Sequence, residues 1–247
     1  MSLDSAVNLS SLRKELRSAG IEDEQQFQQL QDYVDTLLKW NRQFNLVSRK
    51  DISRLPRRHV LDSLAALALL QPGRVLDIGS GAGLPGLVLA IASPQQQFVL
   101  IDRHTRKVRF LQQVITQLEL TNVTAQVVDL DDRGQWQSDN TAGFTNVVSR
   151  AVMDLTSLWR LAAKLVEPEG QLLAYTATSI NDPLRQEIAA METDLNISTH
   201  FFDPTSQQPR LVSEQSHLNE QDNDSAHVLV QVRIRRGKQI SEQNSCA

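Results

Sequence analysis

Residues Arg74-Val75-Leu76-Asp77-Ile78 form a short apolar run that halts at Gly79, Gly81 and Gly83, and an apolar segment from Leu84 to Ile91 follows. This order predicts a strand, a tight turn and a helix. Glycines suit such a turn because the chain must reverse through positive φ angles, and because missing side chains let a ligand approach the backbone. A strand-turn-helix of this kind constrains the fold more than any other stretch. It is the unit that opens a doubly wound α/β sheet, with its ligand at the carboxyl ends of the strands.

The ligand is a question of charge. Gly81, Gly83 and Gly86 satisfy G-x-G-x-x-G, and Asp102 follows about 20 residues on, so a dinucleotide must be considered. A pyrophosphate, however, wants N–H donors at a helix start and no carboxylate beside them. Here Asp77 ends the strand and Pro85 removes a donor. S-adenosylmethionine carries an ammonium and a sulfonium and no phosphate, so the carboxylate attracts it. The methyl donor is favoured over a dinucleotide, and a turn with no ligand is the bland third reading.

The pattern after the turn alternates. Phe98–Ile101, Val123–Val128, Phe144–Ser149 and Gly170–Tyr175 read as strands, while Thr105–Leu118, Leu155–Val166 and Asp182–Met191 read as helices. Two late strands, Ile197–Phe202 and Val228–Ile234, with no helix between them suggest a hairpin and an antiparallel terminal strand. The fold expected is a doubly wound, mostly parallel, seven-stranded Rossmann-like sheet. The polar stretch Asp203–Ser225 is too long for a simple connection.

The N-terminal part differs. Phe27, Leu30, Val34 and Leu37 recur at helical steps, so a helix over Glu22–Asn41 is expected, its stripe turned to the core. The division predicted is 1–72 as a helical extension packed on the main domain, 73–236 as the methyl-donor domain, and 237–247 as a tail. Composition agrees with a soluble protein: of 247 residues, 40% are hydrophobic and 22% charged. The single cysteine, Cys246, leaves no internal disulfide framework and no cysteine-based metal site, and no metal is expected. Residues 1–10 show neither the basic nor the apolar region of a secretory signal, and no run is long enough to span a bilayer. A cytoplasmic monomer is expected.

A net charge of −4 does not preclude a local basic face. Arg49, Lys50, Arg54, Arg57 and Arg58 stand against a single acid, Asp51. They are either a phosphate-contact patch or a solvated helix end. His59 and Asp62 would share a helical face, a spacing more common in structural hydrogen bonds than in catalytic dyads.

In such a sheet the ligand-facing polar residues lie at strand ends. Four positions qualify: Asp77, Asp102, Asp131 with its neighbours, and Arg150. Asp102 is placed to accept hydrogen bonds from ribose hydroxyls; its alternative is a cap for the helix near Thr105. Leu130 and Asp131 are placed for an adenine ring and its edge.

Trp40-Asn41, Asn45-Leu46-Val47-Ser48, Arg58-His59-Val60-Leu61-Asp62-Ser63, Asp77 with the Gly turn through Leu84-Pro85-Gly86, Arg106-Lys107-Val108-Arg109-Phe110-Leu111 and Ser149-Arg150-Ala151 occur in that order. Together they resemble the RsmG family, also called GidB, over about Asp32 to Leu161. That family comprises bacterial S-adenosylmethionine-dependent methyltransferases acting on guanine N7 in small-subunit ribosomal RNA. The resemblance implies that Gly79, Leu84, Leu130, Asp131 and Arg150, with Gly81 in the same turn, contact the methyl donor. It implies that Asn45, His59 and Arg150 line the place where methyl group and base meet. The runs Arg49–Arg58 and Arg103, Arg106, Lys107 and Arg109 would then face RNA.

Three positions depart from the family pattern. Ala174-Tyr175-Thr176-Ala177 stands where a Leu-Lys-Gly ends the fifth strand, Ala226 where an arginine precedes the last strand, and Asp129 where an arginine is usual. These departures bear on RNA affinity and target identity more than on the methyl donor. A methyltransferase acting on another RNA or a small molecule, and a non-catalytic donor-binding protein, are the alternatives; a hydride-transferring enzyme stands further off.

Overall fold

The computed structural model describes residues 7–130, 143–150, 153–176, 186, 187, 190, 195–202, 211–213 and 227–234. A 3-10 turn (Leu9–Leu12) leads into α1 (Arg13–Ser18) and the long α2 (Glu24–Phe44). Asp23 starts α2: its carboxylate accepts from the Gln26 N–H at 2.8 Å, while the Gln26 side chain accepts from the backbone N–H groups of Glu22 and Asp23. This reciprocal capping satisfies donors that have no partner within the helix. Asn45 ends it in the left-handed conformation, φ 43°. The helix therefore runs slightly beyond the expected Asn41, and Phe27, Leu30, Val34 and Leu37 are buried along it.

Short helical pieces follow: 3-10 over Arg49–Arg54, π-helical over Leu55–Leu61, and 3-10 over Leu64–Leu69. The chain then enters the sheet. Its strands are β1 (Arg74–Ile78), β2 (Gln97–Asp102), β3 (Val123–Val127), β4 (Phe144–Arg150), β5 (Val166–Thr176), β6 (Leu195–Phe202), β7 (Leu211–Ser213) and β8 (His227–Ile234). Between them lie α3 (Gly86–Ala92), α4 (Thr105–Gln117) and α5 (Leu155–Ala162). The spatial order is β3-β2-β1-β4-β5-β8-β6-β7. All seven expected strands are present, and a three-residue eighth, β7, extends the edge. β1 to β5 pair in parallel, and β8 lies antiparallel between β5 and β6. The order reverses between β1 and β4, the switch point where ligands bind in sheets of this type.

Two element ends differ from expectation. α5 stops at Ala162 although the apolar pattern continues, because the chain turns at 163–165 and Val166 already pairs with Phe144. β5 thus begins four residues early and is irregular until Gln171 pairs with Asn146. Of the helix expected over Asp182–Met191, only Gln186, Glu187 and Ala190 are described, all helical. Most of Asp203–Ser225 and all of 237–247 lie outside the described residues.

Strand alternation divides the core. Val75, Phe98, Leu100, Val148 and Leu173 meet α2, α3, α4 and the N-terminal turns in one apolar cluster. Leu76, Ile78, Val99, Ile101, Val147 and Leu172 meet α5 and its Trp159 on the other face. The N-terminal helices therefore share one core with the sheet. Polar bonds reinforce this, since Gln26 Nε2 donates to the carbonyls of Ile91 and Ala92 at 3.1 and 3.3 Å. Among the described residues no helix is long and apolar enough to cross a membrane.

Candidate active site

The turn after β1 has the predicted backbone: Gly79, Gly81 and Gly83 have φ of 70°, 57° and 92°. It is held from three sides. The N–H groups of Gly79 and Ser80 both donate to the Ile101 carbonyl at 2.9 Å, tying the turn to the end of β2. Ser80 Oγ donates to the Asp77 carbonyl at 3.0 Å. From α2, the buried Tyr33 hydroxyl donates to the Ala82 carbonyl at 2.8 Å. A Cβ built on Gly81 would meet only the Gly79 carbonyl oxygen, at 3.7 Å, so the turn keeps an open outer surface. That openness is what a ligand lying against the backbone requires.

Asp77 does not line the opening. Alternation turns it toward α3, where it is 1% exposed and its Oδ2 accepts from the Gly86 N–H at 3.0 Å. Only glycine fits at 86, because a Cβ there would collide with the Asp77 carboxylate. Oδ1 has no hydrogen-bond partner among the described residues. Burial pushes the carboxyl up to about 7, against the opposing pull of hydrogen bonds and Arg150. The start of α3 is thus occupied by a carboxylate of the chain itself and by Pro85. A pyrophosphate has no free helix terminus to bind there.

Asp102, at the end of β2, is 5% exposed. Its Oδ2 accepts from the Gly81 N–H at 3.0 Å, and its Oδ1 faces the backbone N–H and ring Nδ1 of His104 at 2.9 and 2.8 Å. Lys107 Nζ lies 3.5 Å from Oδ2. Desolvation works to raise this carboxyl, but the bonds from His104, the Lys107 charge and the Gly81 bond outweigh it and hold it below the ordinary range. Asp102 therefore joins the glycine turn to the start of α4, and the helix-entry contact is made together with a place in the cavity wall.

A cavity of about 570 Å³ opens over these groups. Two groups of residues line it: Ile78, Gly79, Gly81, Leu84, Ile101, Asp102, Val128 and Leu130 from the ends of β1 to β3 and the glycine turn, and Leu46, Ser48, Asp51, His59, Arg150 and Met153 from the turns after α2 and the end of β4. The first group offers an open backbone turn, an acid and an apolar slot. These fit S-adenosylmethionine: backbone against the amino-acid part, a carboxylate for hydroxyls, and apolar side chains for a ring.

In the second group, His59 lies on the π-helical turn and Arg150 ends β4. Arg150 Nη1 lies 4.0 Å from the buried Asp62 Oδ2, an ion pair between the end of β4 and the segment after His59. The Tyr175 hydroxyl donates to the Ser63 carbonyl at 2.6 Å and accepts from the Ala66 N–H at 3.2 Å, bolting the segment that carries His59 and Asp62 to β5. Asn45, the left-handed cap of α2, is exposed and does not line the cavity, although Leu46, Val47 and Ser48 beside it do. Asn41 fixes that loop, its Oδ1 accepting from the Val47 N–H at 2.8 Å. Asp131 and Ala226 lie outside the described residues; Asp129 is exposed at the cavity edge and Thr176 is half-buried at the end of β5.

Exposed cations flank the cavity on two sides. Arg49, Lys50, Arg54, Arg57 and Arg58 lie on the turns after α2, and Arg103, Arg106 and Arg109 at the start of α4, with Lys107 half-buried. Arg57 also pairs with Glu15 at 3.1 Å, and Arg106 lies over the Phe44 ring at 5.1 Å. Among the described residues no group of three or more His, Cys, Asp or Glu side chains is placed to hold a metal ion.

Tyr33, Asn41, His104 and Tyr175 are positioning residues that pattern reading missed. One signal existed for Tyr33: a phenol on an otherwise apolar helix stripe needs a partner for its hydroxyl.

The fold and the cavity together define a Rossmann-like, S-adenosylmethionine-dependent methyltransferase. Solved structures share the fold. The O-methyltransferase TomG from Streptomyces achromogenes, in complex with SAM, superposes with a TM-score of 0.56 at 16% identity, covering 96% of this chain and 100% of that one. Cofactor-bound Rv0187 from MTB superposes with a TM-score of 0.57 at 14% identity, over 94% and 99% of the two chains. Residues 26–212 match the GidB family model, described as rRNA small subunit methyltransferase G, and the chain belongs to this family. Relatives named ribosomal RNA small subunit methyltransferase G include that of Halorhodospira halophila, 36% identical over 192 residues (76% of this chain, 85% of that protein). Those of Alteromonas mediterranea and Vibrio cholerae are 35% and 39% identical, covering 79% and 65% of this chain and 86% and 75% of their own.

Proposed function

We propose that this chain transfers the methyl group of S-adenosylmethionine to N7 of a guanine in small-subunit ribosomal RNA. The observation that carries the reading is a single cavity lined by the glycine turn and Asp102 together with His59 and Arg150, beside two sets of exposed cations. The names of the relatives support the RNA, and the cations supply the non-specific phosphate attraction that an RNA enzyme needs.

When bound, S-adenosylmethionine supplies an electrophilic methyl group on a sulfonium. Gly79, Gly81, Leu84, Asp102, Leu130 and Asp131 would hold it, and Asp77, buried beneath the turn, would add negative charge there once ionised. Guanine N7 has a free lone pair and bears no proton, so no general base is required. His59 and Arg150 act by alignment, which alone supplies several kcal/mol when reacting atoms are held near attack distance. Arg150, next to Asp62, presents its remaining donors to the base O6 or to a phosphate. Residues 1–72 serve as the helical extension and 73–236 as the donor domain, in a cytoplasmic monomer.

The test is transfer of labelled methyl from S-adenosylmethionine to small ribosomal subunits lacking the modification. Label recovered as 7-methylguanosine in the RNA is expected. Label in free nucleosides or other RNAs but not in subunits would instead favour the alternative substrate, and donor binding without turnover would favour the non-catalytic reading.

A further inference from the structure

We propose that Asp51 selects guanine, its carboxylate accepting hydrogen bonds from N1–H and the N2 amino group of the acceptor base. The inference rests on the guanine reading above and adds the residue that tells guanine from other bases.

Asp51 is half-buried and lines the cavity, as do Ser48, His59 and Arg150. Its backbone is fixed. The Ser48 carbonyl accepts from the Asp51 N–H at 2.9 Å, and Ser48 Oγ accepts from the Lys50 N–H at 3.2 Å, so residues 48–51 form a closed turn. Arg49, Lys50 and Arg54 on the same turn are exposed, whereas Asp51 is half-buried at the cavity. Despite these neighbours, its carboxylate forms no ion pair with any described residue.

Three acids line the cavity among the described residues. Asp102 is engaged by Gly81, His104 and Lys107, and Asp129 is exposed after β3. Asp51 is the acid whose turn leads directly into the π-helical turn that carries His59. A carboxylate only accepts hydrogen bonds, and in a site that admits a polyanion it repels phosphate. Donors on the ligand must offset that repulsion. Guanine alone among the four bases offers two adjacent N–H donors on its Watson–Crick edge, a two-point match to a carboxylate. Adenine, cytosine and uracil each place an acceptor beside their donor, against the carboxylate oxygen. The guanine edge lies across the purine from N7, so engaging it leaves N7 directed away from Asp51, toward the rest of the cavity. Reading an unstacked base by its Watson–Crick edge is the general strategy of enzymes that act on single bases.

The test uses small subunits reconstituted with either guanine or inosine at the methylated position, since inosine lacks only the N2 amino group. A two-point base contact corresponds to roughly 10- to 100-fold in discrimination. The wild type should therefore lose about that factor in kcat/KM on inosine subunits. Asp51→Asn should lose a similar factor on guanine subunits and show little further loss on inosine, while Asp51→Glu should recover part of the preference. Calorimetric binding of S-adenosylmethionine should be unchanged in both variants, which separates recognition from misfolding. The proposal is overturned if Asp51→Asn methylates guanine subunits at the wild-type rate, or if the losses from the variant and from inosine simply multiply. Failure of the wild type on both kinds of subunit would instead remove the guanine reading itself.

Discussion

The hydroxyl of Tyr33, in the middle of α2, donates to the carbonyl of Ala82 at 2.8 Å. A helix from the N-terminal part thereby sets the height of the glycine turn over the end of β1. Tyr33 is fully buried, so Tyr33→Phe leaves the Ala82 carbonyl without this donor at little change in volume. The expected cost is about 1–3 kcal/mol in urea unfolding. A several-fold weaker affinity for S-adenosylmethionine by calorimetry should accompany it. An unchanged affinity would show that the turn holds its shape unaided.

Asp77 makes stability depend on pH. Its carboxyl is raised to about 7, so between its unfolded value near 4 and about 7 the folded chain keeps a proton that the unfolded chain has released. The contribution is fully present below the unfolded value and disappears as pH rises through 7. The rise from 3.8 to about 7 corresponds to roughly 4 kcal/mol as an upper figure. Asp77→Asn retains an acceptor for the Gly86 N–H without the titration. The stability of this variant relative to wild type should therefore grow from pH 5 to pH 8, measured by denaturant midpoints. If a cationic donor is held by the ionised form, wild-type affinity should strengthen over the same range while the variant stays flat.

Asp102 carries two duties that a pair of substitutions separates. Asp102→Ala removes the bonds to Gly81, His104 and Lys107 together with the acid that would receive hydroxyls. A loss of about 10- to 100-fold in affinity for S-adenosylmethionine is expected, in line with hydrogen bonds to a charged acceptor. His104→Ala removes only the ring contact at 2.8 Å and should cost less than about threefold. Equal losses in the two variants would assign the effect to the loop rather than to the carboxylate.

The exposed cations should act through salt. Replacing Arg49, Lys50 and Arg54 with alanine should weaken binding to small subunits and flatten the dependence of log K on log salt, by about one unit of slope for each phosphate no longer neutralised. Affinity for S-adenosylmethionine should not move. An unaltered slope would return this patch to the status of a solvated helix end.

Much of the sheet was legible because parallel strands buried on both faces read as apolar runs ended by polar residues, as Phe98–Ile101 before Asp102 does. What escaped was context. The sequence Glu167-Pro168-Glu169 reads as a break, which hides the start of β5 at Val166, a residue that pairs with Phe144. In α5 the apolar pattern runs on past Ala162, and periodicity alone does not mark where a helix yields to a strand. The site divides the same way. Gly79, Gly81, Leu84, Asp102, Leu130, His59 and Arg150 line one cavity because strand ends converge there. Asp77 sits at a strand end too, but alternation sends it under α3, a distinction that depends on which face of the sheet is covered. Tyr175 stands at the position where the family pattern has a cation nearby, and composition gave no hint that its hydroxyl would bolt β5 to Ser63 and Ala66.

The shared core of α2, α3 and α4 bears on how such a chain can be recombined. Gln26 reaches the carbonyls at the end of α3, Thr36 and Gln117 hydrogen-bond at 2.9 Å, and the Trp40 ring packs against Phe110 at 5.5 Å. A chimera that takes residues 1–72 from one relative and the remainder from another puts the two sides of the Thr36–Gln117 and Trp40–Phe110 contacts into chains of different origin. Grafts should keep these contacts when Phe110 and Gln117 travel with the helix that meets them, so the heritable unit here is a set of facing surfaces rather than a length of sequence.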